Sequence, residues 1–84
     1  MDANAKASRA ASILQDLVFM EAISVVKGYH VDVFLEHSST PEEIMEAHRA
    51  VRSLTLVQGQ LQSFVDDGRL LERKQKDRQR GQHA

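Results

Sequence analysis

Downstream of Pro41, apolar residues recur at Ile44, Ala47, Val51, Leu54, Leu61, Phe64 and Val65, with Val57 beside the stripe. Spacings of three and four place them on one helical face, and Gln58 occupies one position of an otherwise heptad-like seam. Glu46, Arg49, Arg52, Ser53, Gln60 and Ser63 fall largely on the other side. The pattern predicts an amphipathic helix of about 26 residues, roughly 40 Å long. Its start is signalled by Thr40-Pro41-Glu42-Glu43. Thr40 suits the N-cap, and Pro41 suits the first helical position, where its missing N–H has no partner to lose. Glu43 at the third position closes a capping box, and both glutamates sit where the helix dipole favours negative charge. Asp66-Asp67-Gly68 predicts the stop, with glycine in a left-handed cap. The residues after it, RLLERKQKDRQR, are good helix formers anchored only by Leu70 and Leu71, so they predict a short extension that frays toward Gly81.

Upstream of the turn, Ala22, Val25, Val26, Tyr29 and Val33 form one helical stripe, and Phe19, Ile23, His30 and Phe34 form an adjacent one. More than half of the circumference is apolar. A helix of that kind is buried on more than one side, which a lone pair of helices cannot provide. A competing reading makes strands of Ile23 to Val26 and His30 to Leu35, joined by a turn at Lys27-Gly28. Phe34 spoils the required alternation, and the apolar run continues upstream through Leu17, Val18, Phe19 and Met20, so helix is the preferred reading. Ala3 to Leu14 is alanine-rich and forms helix at low cost, and Asp16 is placed to cap a fresh start at Leu17.

With 84 residues the chain makes one domain at most, and a large self-contained active site is not expected of it. Phe19, Tyr29, Phe34 and Phe64 are the only aromatic residues, so any core is aliphatic. The absence of cysteine excludes disulfides, thiolate zinc sites and a cysteine nucleophile. A small fold without such staples relies on good helix packing or on self-association. The formal net charge of −1 conceals an uneven distribution. Residues 1 to 68 carry five bases against ten acids, net −5, whereas residues 69 to 84 carry six bases against two acids, net +4. The tail so defined can meet an acidic partner or a nucleic acid, or can be a solvated helix end. No apolar run is long enough to span a bilayer, and MDANAKASRAAS lacks the apolar core of a signal peptide, so a cytoplasmic setting is expected.

Candidate chemistry is sparse. His30 and His37 stand seven apart with Asp32 and Glu36 nearby, but the spacing matches no common metal motif. His48, one position from the seam, suits an interface hydrogen bond. Ser38, Ser39 and Thr40 neighbour His37 and are accounted for by capping, without a glycine-rich elbow. Gly28, Gly59, Gly68 and Gly81 are too dispersed to cradle a phosphate. No enzymatic activity, metal or cofactor is expected. On a helix Arg69, Arg73, Lys76 and Arg80 share a face and offer a contact to a polyanion.

The run Leu14-Gln15-Asp16-Leu17-Val18-Phe19-Met20-Glu21-Ala22-Ile23, the Ser-Thr-Pro-Glu-Glu turn, and the seam from Leu54 to Leu61 ending in Asp67-Gly68-Arg69-Leu70 together resemble the small helical-hairpin proteins encoded among structural genes of tailed bacteriophages. The resemblance covers roughly residues 14 to 71 and leaves Gly28, Tyr29 and the basic tail outside its pattern. It implies assembly or interaction duty, in the host cytoplasm or the virion, with other phage structural proteins as partners, and it carries over no catalytic residue.

The expected fold is therefore all-α. One helix covers residues 17 to 37 and another 41 to 67, packed as an antiparallel hairpin behind a short N-terminal helix, with residues 1 to 71 as the domain and 72 to 84 as a basic tail. Ile44, Val51, Leu54, Leu61 and Phe64 are the expected hairpin core. Phe19, Ile23, Val26, Tyr29, Val33 and Phe34 are the expected interface of a homo-oligomeric bundle, most simply a two-fold four-helix one. The expected function is a non-enzymatic interaction module. Alternatives are a nucleic-acid-associated regulator using the tail and an inhibitor that docks on a host protein.

Overall fold

A computed structural model describes residues 1–83, and these are all-helical apart from the caps and one turn. Helix α1 spans Ala3–Gln15, α2 spans Leu17–Leu35 and α3 spans Pro41–His83. No strand occurs among the described residues, which removes the competing reading of residues 23 to 35.

Local chemistry sets five of the six helix boundaries. The Ala5 N–H donates to Asp2 Oδ1 at 2.7 Å, capping α1. At Asp16 the backbone turns extended, its N–H donates to the Ile13 carbonyl, and its Oδ1 accepts the Phe19 N–H at 2.8 Å. One residue thus closes α1 and opens α2. The capping box at α3 is reciprocal: the Glu43 N–H donates to Thr40 Oγ1 and the Thr40 N–H donates to Glu43 Oε1, both at 3.1 Å. Helix α2 stops at Leu35, two residues before the expected end, because Glu36 is extended and its carboxylate accepts from the Ser38 N–H and hydroxyl.

The end of α3 differs from expectation. It does not stop at residue 67 but continues unbroken through Gly68 and Gly81 for 43 residues. No glycine among the described residues has positive φ, so Gly68 is not a left-handed cap. It is buried, and a Cβ built on it would collide with the Cβ of Ala7 in α1. The glycine serves close approach between helices, and good helix formers on both sides carry the helix past it.

That helix is about 64 Å long at 1.5 Å per residue, and the molecule measures 68 × 23 × 20 Å. The remaining two helices lie along it. Helix α1 packs on the C-terminal half, with Ala7 at Gly68 and the Lys6 ammonium 4.8 Å from the Phe64 ring centroid. Helix α2 packs on the N-terminal half, where Lys27 Nζ donates to Gln58 Oε1 at 2.8 Å and Val33 shares a cleft with Ala47 and Ala50. Contacts between α1 and α2 are few. The buried apolar positions are Ala10 and Ala47, each 2% exposed, and Val65. Ile44, Val51, Leu54, Leu61 and Phe64 are half-buried along the same face of α3.

The outcome is a rod. Its radius of gyration of 19.1 Å compares with about 12 Å for a compact chain of this length. Its accessible surface of 6886 Å² compares with about 5,000 Å² for a compact monomer of its mass.

Two glycines in α3 test the packing by opposite responses. Gly59 has nothing within 4 Å of an added Cβ, so Gly59→Ala is expected to raise stability by about 1 kcal/mol through helix propensity. Gly68→Ala is expected to lower it by about 1 kcal/mol or more despite the same propensity gain, because α1 is forced off. Urea unfolding followed by circular dichroism reads both, and equal stabilisation would contradict the seating of α1 on Gly68. In the same assay, Thr40→Ala is expected to cost about 1 kcal/mol.

Candidate functional site

Because α2 touches α3 along only one face, the second apolar face seen in its sequence has nothing to cover it. Half-buried Phe19, Ile23, Lys27, His30 and Val33 follow one another at spacings of three and four, and this stripe packs on α3. On its flanks, Leu17 is 79% exposed, Tyr29 67% and Phe34 43%, and Val18, Met20, Val25, Val26, Val31 and Leu35 are also exposed. Val18, Ala22, Val25 and Val26 form a shallow apolar depression edged by Glu21. Among the expected interface residues, Phe19, Ile23 and Val33 thus lie on the intrachain stripe, while Val26, Tyr29 and Phe34 are open to another molecule. Helix α3 adds Met45, Leu56 and Val57 to the exposed apolar surface.

Lys27 was not expected in the stripe. Its aliphatic stem suits the packed face and its ammonium is satisfied by Gln58, the polar residue of the α3 seam. Each of the two polar positions is the reason the other is tolerated. A signal was present in the sequence, since Gln58 interrupts the seam, but nothing there identified its partner 31 residues away.

At the far end of α3, every residue from Arg69 to Gly81 is exposed. Arg69, Arg73, Lys76 and Arg80 lie on this bare stretch, their shared face following from helical spacing. Arg69 and Arg73 flank a groove with Asp66 and Leu70.

Histidine chemistry does not assemble. Helix α2 ends before His37, which is exposed in the turn, so His37 does not share a helical face with His30. His30 lines the cleft with Val33, Glu43 and Glu46. No group of three or more His, Asp or Glu side chains that could hold a metal ion occurs among the described residues. Nor is any helix among them long and apolar enough to cross a membrane.

The chain matches no family model, and the comparisons with curated proteins and with solved structures found no match.

Removing the seam's polar partner tests the site's internal wiring. Gln58→Ala is expected to cost about 1.5–3 kcal/mol, because the Lys27 ammonium loses its hydrogen bond in a part-buried position. The double variant Lys27→Met with Gln58→Leu is expected to recover most of that loss in urea unfolding, since two apolar groups of similar shape replace the pair.

Proposed function

We propose that this protein is a non-enzymatic interaction and assembly module: an antiparallel helical hairpin, extended by α1, that self-associates through the outer faces of α2. One observation carries the reading. Helix α2 keeps Leu17, Val18, Val25, Val26, Tyr29, Phe34 and Leu35 exposed on a monomer that has no further layer to cover them. Exposed apolar residues on both flanks of one helix suit contacts with another molecule. A homo-oligomeric bundle is the simplest solution for one helix type with two apolar flanks. The resemblance of residues 14 to 71 to small helical phage proteins supplies the setting we propose: an accessory of virion assembly that also meets other phage structural proteins.

A second reading rests on the continuity of α3 past Gly68. The helix holds Arg69, Arg73, Lys76 and Arg80 as a regular exposed array, which suits contact with phosphates.

Light scattering coupled to size exclusion at micromolar concentration is expected to give an oligomer. Val25→Glu with Val26→Glu is expected to give a monomer of unchanged helicity by circular dichroism, since both positions are exposed in the single chain. A well-folded monomeric wild type would overturn self-association. For the second reading, salt-sensitive binding of duplex DNA or RNA that Arg73→Glu and Lys76→Glu abolish is the supporting result.

A further inference from the structure

We infer that the bare C-terminal stretch of α3, from Arg69 to Gly81, lies in the major groove of duplex DNA, with two basic rows facing the two phosphate walls. This rests on the phosphate contact given above as the second reading and specifies its partner. It requires no self-association.

The bases are not spread evenly around the helix. Gly68 marks the side of α3 on which α1 sits, since a Cβ there would meet Ala7. Taking that direction as zero and about 100° per residue, Lys76, Arg69, Arg80 and Arg73 fall at about 80° to 140°, and Lys74 and Arg78 at about 240° to 280°. All six bases thus turn away from α1. The side that continues the α1 seat carries Leu71, Glu72, Gln75 and Gln79, each within about 60° of Gly68. Between the two basic rows, at about 180° to 220°, stand Asp77, Leu70 and Gly81. Every residue of the stretch is exposed.

Two rows on opposite flanks of one helix select a partner that is negative on both sides. A flat partner, whether bilayer or protein, meets one row and leaves the other in water. A bilayer also requires an apolar face to insert, and Leu70 and Leu71 point about 100° apart. The major groove of B-form DNA is about 12 Å wide and admits an α-helix of about 10–12 Å diameter between its phosphate walls. The major groove of an RNA duplex is too deep and narrow for this. In the DNA groove, Leu70, Asp77 and Gly81 face the floor, where an apolar group meets a thymine methyl and a carboxylate accepts from the cytosine amino group. The one acid between the rows therefore stands at the base edges and not against a phosphate.

The rest of the molecule is placed to permit this contact. Helix α1 lies on the side away from the duplex. Residues 31 to 48 hold Asp32, Glu36, Glu42, Glu43 and Glu46 and no Lys or Arg. Glu46 precedes Lys74 by 28 residues of continuous helix, about 42 Å, against a Debye length of about 10 Å at 0.1 M salt. Asp66 and Asp67 set the limit of the contact on the body side, so the duplex engages from Arg69 outward. Along the stretch, Arg69 and Arg73, Lys74 and Arg78, and Lys76 and Arg80 are like-charge pairs four residues apart, which destabilise a bare helix. Phosphates on both flanks remove that repulsion.

Fluorescence anisotropy of the full chain tests the placement against three probes: a mixed-sequence DNA duplex of about two helical turns, the RNA duplex of the same sequence, and vesicles of phosphatidylserine and phosphatidylcholine. The DNA is expected to bind at least about tenfold more tightly than the RNA, with a slope of log K on log salt of about −4 to −5. Lys76→Gln with Arg80→Gln, and Lys74→Gln with Arg78→Gln, are each expected to weaken binding about tenfold at low salt and to reduce the slope by about 2. All four positions are exposed, so helicity by circular dichroism is the control for folding. Dimethyl sulfate footprinting is expected to show protection at guanine N7, which lies in the major groove. A loss confined to one row, equal affinity for the RNA duplex, tighter binding to the vesicles, or protection only at adenine N3 in the minor groove overturns the major-groove placement and leaves phosphate contact standing. No salt-sensitive binding to any of the three probes overturns both.

Discussion

The dimensions of the molecule follow from burial against a single helix. Helix α3 supplies one continuous apolar face from Ile44 to Gly68, and both shorter helices must use it, α2 on the N-terminal half and α1 on the C-terminal half. Side chains gain close packing only where a second element reaches them. With α1 and α2 sharing little contact, no third layer forms, and the chain remains as long as its longest helix. Every surface feature of interest descends from this arrangement. The outer flanks of α2 are uncovered because α3 has only one side to give. The basic stretch is uncovered because α1 reaches no farther along the rod.

The two halves of the shared face use different means. Where α1 meets α3, small residues set the distance: Ala7 lies at Gly68, Ala10 is buried, and Phe64 receives the Lys6 ammonium over its ring. At Gly68 the backbones come close because neither that residue nor Ala7 brings a large side chain between them. Where α2 meets α3, Val33 shares a cleft with Ala47 and Ala50, and a polar pair, Lys27 and Gln58, lies within the seam. A satisfied polar pair inside an apolar seam contributes less stability than two well-packed aliphatic residues, but it penalises sliding, since a shift by one turn separates donor from acceptor. This gives α2 a defined register on α3.

Much of the fold was readable from short-range chemistry. The Thr40 and Glu43 box and the Asp16 cap formed as their spacing predicts, because capping involves residues three apart and needs no tertiary partner. Gly68 was misread for the complementary reason. A glycine after two acids looks like a helix end when the alternative, a helix from 60 residues upstream pressing on it, is invisible. The role of α1 was missed likewise: Ala7, Ala10 and Leu14 do recur at helical spacing, but alanine is as common on exposed helix surfaces as in close contacts. Of the candidate interaction residues, the two adjacent stripes of α2 were recognised, while their assignment to intrachain or outer surface depended on how α2 rotates against α3. Phe19, Ile23 and Val33 turned inward with Lys27, and Val26, Tyr29 and Phe34 stayed out.

Helical identity, the turn between α2 and α3, the surplus of apolar surface and the division of charge all follow from residue order, since each depends on spacing within a few turns or on composition along a segment. The continuation of α3 through Gly68, the docking of α1 and the choice of which α2 stripe faces inward do not. They depend on contacts between residues tens of positions apart, where the same local pattern is compatible with several packings. Close approach at Gly68 favours one seating of α1 on α3, and the Lys27 to Gln58 bond favours one seating of α2, because each is lost when its helix slides or rotates.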